Sequence, residues 1–183
     1  MAYKQPLSAL VIVHTSKLDV LLLERADFPG HWQSVTGSRD DDEDLATTAR
    51  RELYEETGID ANAFGGPVAW NMTQNYEIYP QWRHRYPPGT THNTEHVYSL
   101  DVRQQVPVKL APREHLRYEW LPWREAAARC FSWTPSAAIP LSICMKSMAI
   151  SAPGSSLNSL KMAKVSSAIR CSFIGRYNRY GCE

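Results

Sequence analysis

The sequence predicts a mixed α/β fold, and three observations carry that prediction. Apolar runs of strand length recur along the chain, one amphipathic stretch of helical period lies between two groups of them, and no internal repeat is present. With 183 residues, 43% of them hydrophobic, the chain can bury one substantial core, so one domain is the default.

Taken in order, Leu7 to Val13 is almost continuously apolar, and Val20 to Leu23 repeats this after the polar turn Ser16 to Asp19. Both read as buried, paired strands. Pro29-Gly30 punctuates the chain, and Trp32 to Thr36 is short and β-prone, with Gly37 expected to begin a loop. Arg39 to Asp44 is charged and loop-like, whereas Leu45, Ala49 and Leu53 trace one apolar helical face that Gly58 should end. Asp41, Asp42 and Asp44 suit the positive end of that helix. Val68 to Met72, Thr94 to Val102 and Leu116 to Leu121 read as strands, and the alanine-rich Trp123 to Cys130 as a helix.

The composition changes after about Pro140. Residues 141–183 hold six lysines and arginines against a single acid, Glu183, and many serines. The expected organisation is therefore a folded domain over 1–140 and a basic, Ser-rich extension over 141–183.

Charge narrows the range of functions. Lysine plus arginine (20) nearly balances aspartate plus glutamate (19), so there is no overall basic field to drive nucleic-acid or membrane binding, and a small-molecule partner is expected. Met1 to Val13 continues like a strand rather than like a signal peptide, and Ile139 to Ile150 is too short and too interrupted to span a membrane. Cys130, Cys144, Cys171 and Cys182 form no CxxC pair, which argues against a zinc site or a disulfide framework and fits a reducing cytoplasm.

One constellation points to chemistry. Gly37 is followed after five residues by Glu43, and after seven more by Arg51-Glu52-Leu53-Tyr54-Glu55-Glu56-Thr57-Gly58-Ile59. On a helix, Glu52 and Glu56 lie one turn apart with Glu55 beside them. Like charges this close raise one another's pKa values unless a cation neutralises them. Mg²⁺ suits such a set, because it prefers oxygen ligands and uses a few carboxylates while water and phosphate complete its octahedron. A solvated acidic face paired with Arg50 and Arg51 is the alternative that spacing alone leaves open.

Nine of these positions, Gly37, Glu43, Arg51, Glu52, Leu53, Glu55, Glu56, Gly58 and Ile59, match without gap or substitution the signature box of the Nudix hydrolases, which the chain therefore resembles. From average residue usage, a chance match is on the order of 10⁻⁷. The resemblance implies the Nudix fold, a mixed β-sheet sandwiched between helices with the box as a loop-helix-loop. Further segments are similar to the branch of that family that cleaves dihydroneopterin triphosphate: Tyr3-Lys4-Gln5-Pro6, Trp32 to Ser38, Tyr76-Glu77-Ile78-Tyr79, Arg83-His84-Arg85-Tyr86, Asn93-Thr94-Glu95, Glu114-His115-Leu116 and Ser132-Trp133. By that resemblance, Glu52, Glu56 and Glu114 hold Mg²⁺, with Mn²⁺ able to substitute, and Glu52, Glu55, Glu56 and Arg51 are the catalytic set. Arg51 is given the role of orienting a carboxylate. Substrate contacts fall to Lys4, Arg25, Thr36, Tyr76, Glu77, Ile78, Tyr79, Glu114 and Ser132.

The residue chemistry agrees with several of these. Lys4 and Arg25 can make charge-assisted bonds to phosphate, and Tyr76 and Tyr79 can pack on a flat ring. Arg83, His84 and Arg85 precede a stiff Pro87-Pro88-Gly89 turn, where they either steer an anion or simply face solvent. His84 has no partner at metal-ligand spacing, and no histidine is assigned to metal. One departure stands out: after Ser132-Trp133-Thr134 the family continues as a polar helix, whereas Pro135 and Pro140 interrupt it here. The implied reaction is Mg²⁺-dependent hydrolysis of dihydroneopterin triphosphate to the monophosphate and pyrophosphate. A housekeeping hydrolase of (deoxy)nucleoside triphosphates and a non-catalytic ligand-binding module are the other two readings.

Overall fold

The computed structural model describes residues 3–131. Its strands are β1 Leu7–His14, β2 Asp19–Arg25, β3 Trp32–Gln33, β4 Val35–Ser38, β5 Val68–Glu77, β6 His92–Asp101 and β7 His115–Pro122, and its helices are α1 Leu45–Thr57 and α2 Trp123–Phe131. Short 3-10 turns occupy Ala61–Phe64 and Pro80–Arg85. The seven strands form one mixed sheet, ordered β3-β2-β1-β6-β5, with β4 paired to β1 and β7 to β2.

The most apolar strand lies at the centre. From Ser8 to Val13 every residue of β1 is buried, as expected of a strand covered on both faces, and it runs parallel to β6 from Leu7↔Thr94 to His14↔Asp101. β1 and β2 pair at His14↔Val20. The segment carrying β3 and β4 then crosses between them, β3 on β2 through Leu23↔Gln33 and β4 on β1 from Ser8↔Ser38 to Val11↔Val35. On one face Ala9, Val11, Val13, Leu21, Leu23 and Val35 pack with Ala49 and Leu53 of α1. Leu53 is fully buried, worth about 2 kcal/mol in transfer free energy. Leu10, Ile12, Val20 and Leu22 of the opposite face are equally buried, and α2 packs on β2, β3 and β7.

Helix α1 starts and stops for local reasons. Asp44 caps it by accepting from the Thr47 N–H at 2.7 Å, which satisfies one of the orphan donors of the first turn. Gly58, at φ +69°, ends it by donating its N–H to the Tyr54 carbonyl at 2.8 Å. The next free carbonyls are taken by another segment: Ala111 N–H donates to Glu56 O at 3.2 Å and Lys109 N–H to Thr57 O at 2.8 Å. That docking clamps the segment leading into β7 against the end of α1. Glu114 and His115 thereby come beside Glu56.

Two expectations are corrected. Gly37 begins no loop; it lies within β4, opposite Ala9. A Cβ there would sit 1.8 Å from the Glu52 carboxyl carbon, so glycine leaves the room that this carboxylate occupies over β4 and marks no turn. β5 continues past Met72 to Glu77, its outer half pairing from Thr73↔His96 to Glu77↔His92 after an irregularity that places Asn71 at φ +51°. Its residues alternate between exposed and half-buried, a pattern that carries no apolar run. Ser132, Trp133, Pro135 and the extension over 141–183 lie outside the described residues. Among the described residues no helix is long and apolar enough to cross a membrane.

Candidate active site

The acids of α1 and of the loop before it fall into two groups. In the first, Arg51 is the hub: its Nη2 donates to Glu43 Oε1 at 2.6 Å and to the Ser38 carbonyl at 3.0 Å, and its Nη1 to Glu52 Oε1 at 2.9 Å and Glu55 Oε2 at 3.2 Å. Glu43 also accepts from Thr48 Oγ1 and from the Asp40 N–H. These bonds, the Arg51 guanidinium first, hold the Glu43 carboxyl down to about 2, and Glu43 in turn raises Arg51 above its already high value. Arg51, expected to orient a carboxylate, donates to three of them, Glu43, Glu52 and Glu55. Glu55 stands at the rim, its side chain 57% exposed, and shares Arg51 Nη1 with Glu52.

The second group is poorly compensated. Burial pushes the Glu52 carboxyl up to about 7, against the opposing pull of Arg51 and with a contribution from Glu56 and Glu55. Glu56 is almost wholly buried, and burial raises it too, opposed by a hydrogen bond with His115 and one from the Thr36 main chain. The His115 Nε2 lies 2.9 Å from Glu56 Oε2. One ligand atom each from Glu56, Glu114 and His115 lie within 4.8 Å of one another. Spacing assigned no histidine to metal, yet His115 sits inside the acidic cluster, brought there by the clamp on the end of α1. These buried or crowded oxygens, Glu52 matched only by an Arg51 it shares with Glu43 and Glu55 and Glu56 only by His115, fit a hard divalent cation.

A cavity of about 370 Å³ opens beside this cluster, lined among others by Lys4, Arg25, Thr36, Tyr76, Glu56 and Glu114. Six residues singled out from the sequence are therefore brought together from β2, β4, β5, α1 and two connecting segments. The Lys4 ammonium is lowered by burial and by Arg85, while Glu52, Glu114 and Asp40 oppose this. Arg25 is held bidentately by Asp27 at 2.8 and 2.6 Å, donates to Gln33 at 3.0 Å, and lies 5.5 Å from the Trp82 ring centre. A phosphate approaching Arg25 has to compete with Asp27. Thr36 donates its hydroxyl to Glu95 Oε1 at 2.9 Å, which leaves its lone pairs facing elsewhere.

Of the segment Tyr76 to Tyr79, only Tyr76 lines this cavity; its hydroxyl accepts from Asn93 Nδ2 at 3.0 Å. Ile78 is buried, and Glu77 turns to Arg83. Tyr79 is exposed and stacks edge-on against Trp82, centroids 5.3 Å apart. All four line a wider depression of about 720 Å³ along the outer end of β5, and Tyr76 belongs to both.

Sequence reasoning missed several cavity residues: Trp82, Tyr86, Asn93, Arg113 and His115. Arg85, in the 3-10 turn, lines the cavity as well, whereas Arg83 is spent on Glu77. Asn93 occupies a buried position near the start of β6, which nothing local in the sequence marks. His115 is the same case at the start of β7.

The NUDIX domain model matches residues 4–140. The chain is 40% identical over 139 residues to dihydroneopterin triphosphate diphosphatase of Escherichia coli, covering 75% of this chain and 91% of that protein. It is 36% identical over 142 residues to the Haemophilus influenzae protein of the same name, covering 76% and 88%. The solved structure of the E. coli dihydroneopterin triphosphate pyrophosphohydrolase superposes with a TM-score of 0.67 at 39% identity, covering 76% of this chain and 96% of that one. Box, fold and carboxylate cluster lead to one conclusion: the chain belongs to the NUDIX family.

Proposed function

We propose that the protein hydrolyses 7,8-dihydroneopterin triphosphate to dihydroneopterin monophosphate and pyrophosphate, using Mg²⁺, or Mn²⁺ in its place, at Glu52, Glu56 and Glu114. The observation that carries the reading is the placement of Glu56 and Glu114 on the wall of a cavity that also presents Lys4 and Arg25. Two relatives named for this activity, at 40% and 36% identity and covered over nearly their whole length, support the choice of substrate.

When bound, a divalent ion supplies Lewis-acid polarisation of a phosphoryl oxygen and a more acidic water. Glu52 and Glu56 would hold it through oxygens that have little contact with solvent. Arg51 holds Glu52 by one oxygen and ties α1 to the Ser38 carbonyl, keeping the carboxylates over β4. Lys4 and Arg25 neutralise the phosphate chain, and Arg25 exchanges Asp27 for substrate oxygens. Tyr76 offers an aromatic face and a hydroxyl at the ring end.

Product analysis by phosphorus NMR tests the reading, with Mg²⁺ and a panel of dihydroneopterin triphosphate, dATP and dGTP. The expected result is pyrophosphate release, with kcat/KM for the pterin at least tenfold, about 1.4 kcal/mol, above that for dATP. The reverse preference makes the protein a nucleotide hydrolase. Tight binding without pyrophosphate release at any divalent concentration makes it a binding module.

A further inference from the structure

The buried pair of His115 and Glu56 has a consequence for the metal centre beyond the ligand set named above. We infer that His115 is a positioning residue, which holds Glu56 by Oε2 so that the remaining lone pairs of that carboxylate face the metal. This rests on the proposed divalent centre but not on the identity of the substrate.

Geometry supplies the argument. Both side chains are nearly inaccessible, at 2% and 4% exposure, and the Nε2 to Oε2 distance is 2.9 Å. Glu56 has no guanidinium of its own, because Arg51 is committed to Glu43, Glu52, Glu55 and the Ser38 carbonyl. The His115 Nδ1 is buried and has no hydrogen-bond partner among the described residues. An orphaned lone pair is tolerated better than an orphaned N–H, and Nε2 stands 2.9 Å from a carboxylate oxygen, so the Nε2–H is the group that donates to Glu56. The ring is thus oriented by Glu56 and by packing alone.

The backbone fixes this relation. Ala111 N–H donates to the Glu56 carbonyl, and His115 N–H to the Ala111 carbonyl at 3.0 Å, so the imidazole and the carboxylate are registered across 59 residues of sequence. A partner that orients a metal-binding carboxylate governs metal affinity, typically by about 10- to 100-fold. A purely structural histidine changes melting temperature and leaves metal affinity alone.

The test measures Mn²⁺ binding by electron paramagnetic resonance, without substrate, on the full chain and on His115→Phe, His115→Gln and His115→Asn, with thermal melts run alongside. Gln can present an N–H where Nε2 stands, whereas Asn is too short to reach Oε2. Expected are a 10- to 100-fold weaker Kd for Phe and Asn, and a Gln variant within about threefold of wild type. Should Phe not fold, the contrast between Gln and Asn decides the matter. Equal Mn²⁺ affinity in all variants, tighter binding without the imidazole, or equal loss in Gln and Asn would overturn the assignment. No Mn²⁺ binding by the wild type would overturn the metal centre together with it, whereas loss of pterin hydrolysis with normal Mn²⁺ binding would touch only the substrate reading.

Discussion

Glu43 and Glu56 are both box carboxylates with little solvent around them, yet they are held in opposite ways. Glu43 receives a guanidinium, a hydroxyl and a main-chain N–H and is driven down to about 2. Glu56 has only the His115 ring and one main-chain bond beside it, and burial drives it up. The difference separates fold from chemistry: one carboxylate is neutralised by the protein itself, whereas the other is kept short of positive charge and so favours a cation from outside. Neighbouring Glu52 sits between the two conditions, tied to Arg51 but still pushed up to about 7.

The largest expected effect breaks the Glu56 side of this contrast. Glu56→Gln keeps the shape and can still bond to His115, but it removes the charge a metal needs. kcat/KM should fall by roughly a thousandfold or more, about 4 kcal/mol of transition-state stabilisation, while the metal-free protein melts at the same temperature or higher, since a buried charge is gone. Steady-state kinetics at saturating Mg²⁺ with a parallel thermal melt measures both. Unchanged kcat would remove Glu56 from the reaction.

Breaking the other side gives the opposite balance. Arg51→Met leaves Glu43 buried, with only Thr48 and Asp40 as donors, and releases Glu52 and Glu55. Unfolding in urea should show a loss of about 2–3 kcal/mol, as for removal of one partner from a largely buried ion pair. A double variant that also carries Glu43→Gln should recover part of that loss, because it no longer strands a charge. If the single and double variants are equally unstable, Arg51 acts through packing and not through charge.

How legible this contrast is in the sequence varies residue by residue. The helix Leu45–Thr57, its Asp44 cap, its Gly58 stop and the spacing of Glu52 and Glu56 are local, and local rules reach them. The direction of Glu55 is not local: it depends on Arg51, whose aim is set by Glu43 and the Ser38 carbonyl. Gly37 reads as a break because glycine usually is one, and only the side chain crossing it from α1 shows why it stands in a strand. The outer half of β5, Thr73 to Glu77, has no apolar run because it pairs on one side, with β6, and alternates toward solvent. His115 and Asn93 look ordinary in sequence. Their significance comes from partners 59 residues away for His115, and 85 and 17 for Asn93.

The smallest expected effect is a pH dependence that sets the two groups against each other. Glu43, with its folded pKa depressed to about 2, stabilises the fold fully above its unfolded value of about 4.5. That stability is lost as pH falls from there toward 2. Glu52, with its folded pKa raised to about 7, acts in reverse: protonated, it is tolerated, and the metal-free fold loses stability as pH rises from about 4.5 to 7. A divalent ion needs Glu52 ionised, so the gain in melting temperature from Mg²⁺ should be near zero at pH 5 and grow to a few degrees by pH 8. Melts in EDTA and in Mg²⁺ at unit steps of pH measure it. Glu52→Gln should lessen the slope of the EDTA profile in that window, leaving the share of Glu56, whose carboxyl burial also raises, without touching the acid limb due to Glu43. A Mg²⁺ gain already complete at pH 5 would show that Glu52 is ionised well below 7, and the two ends of the acidic face would then differ less than their burial implies.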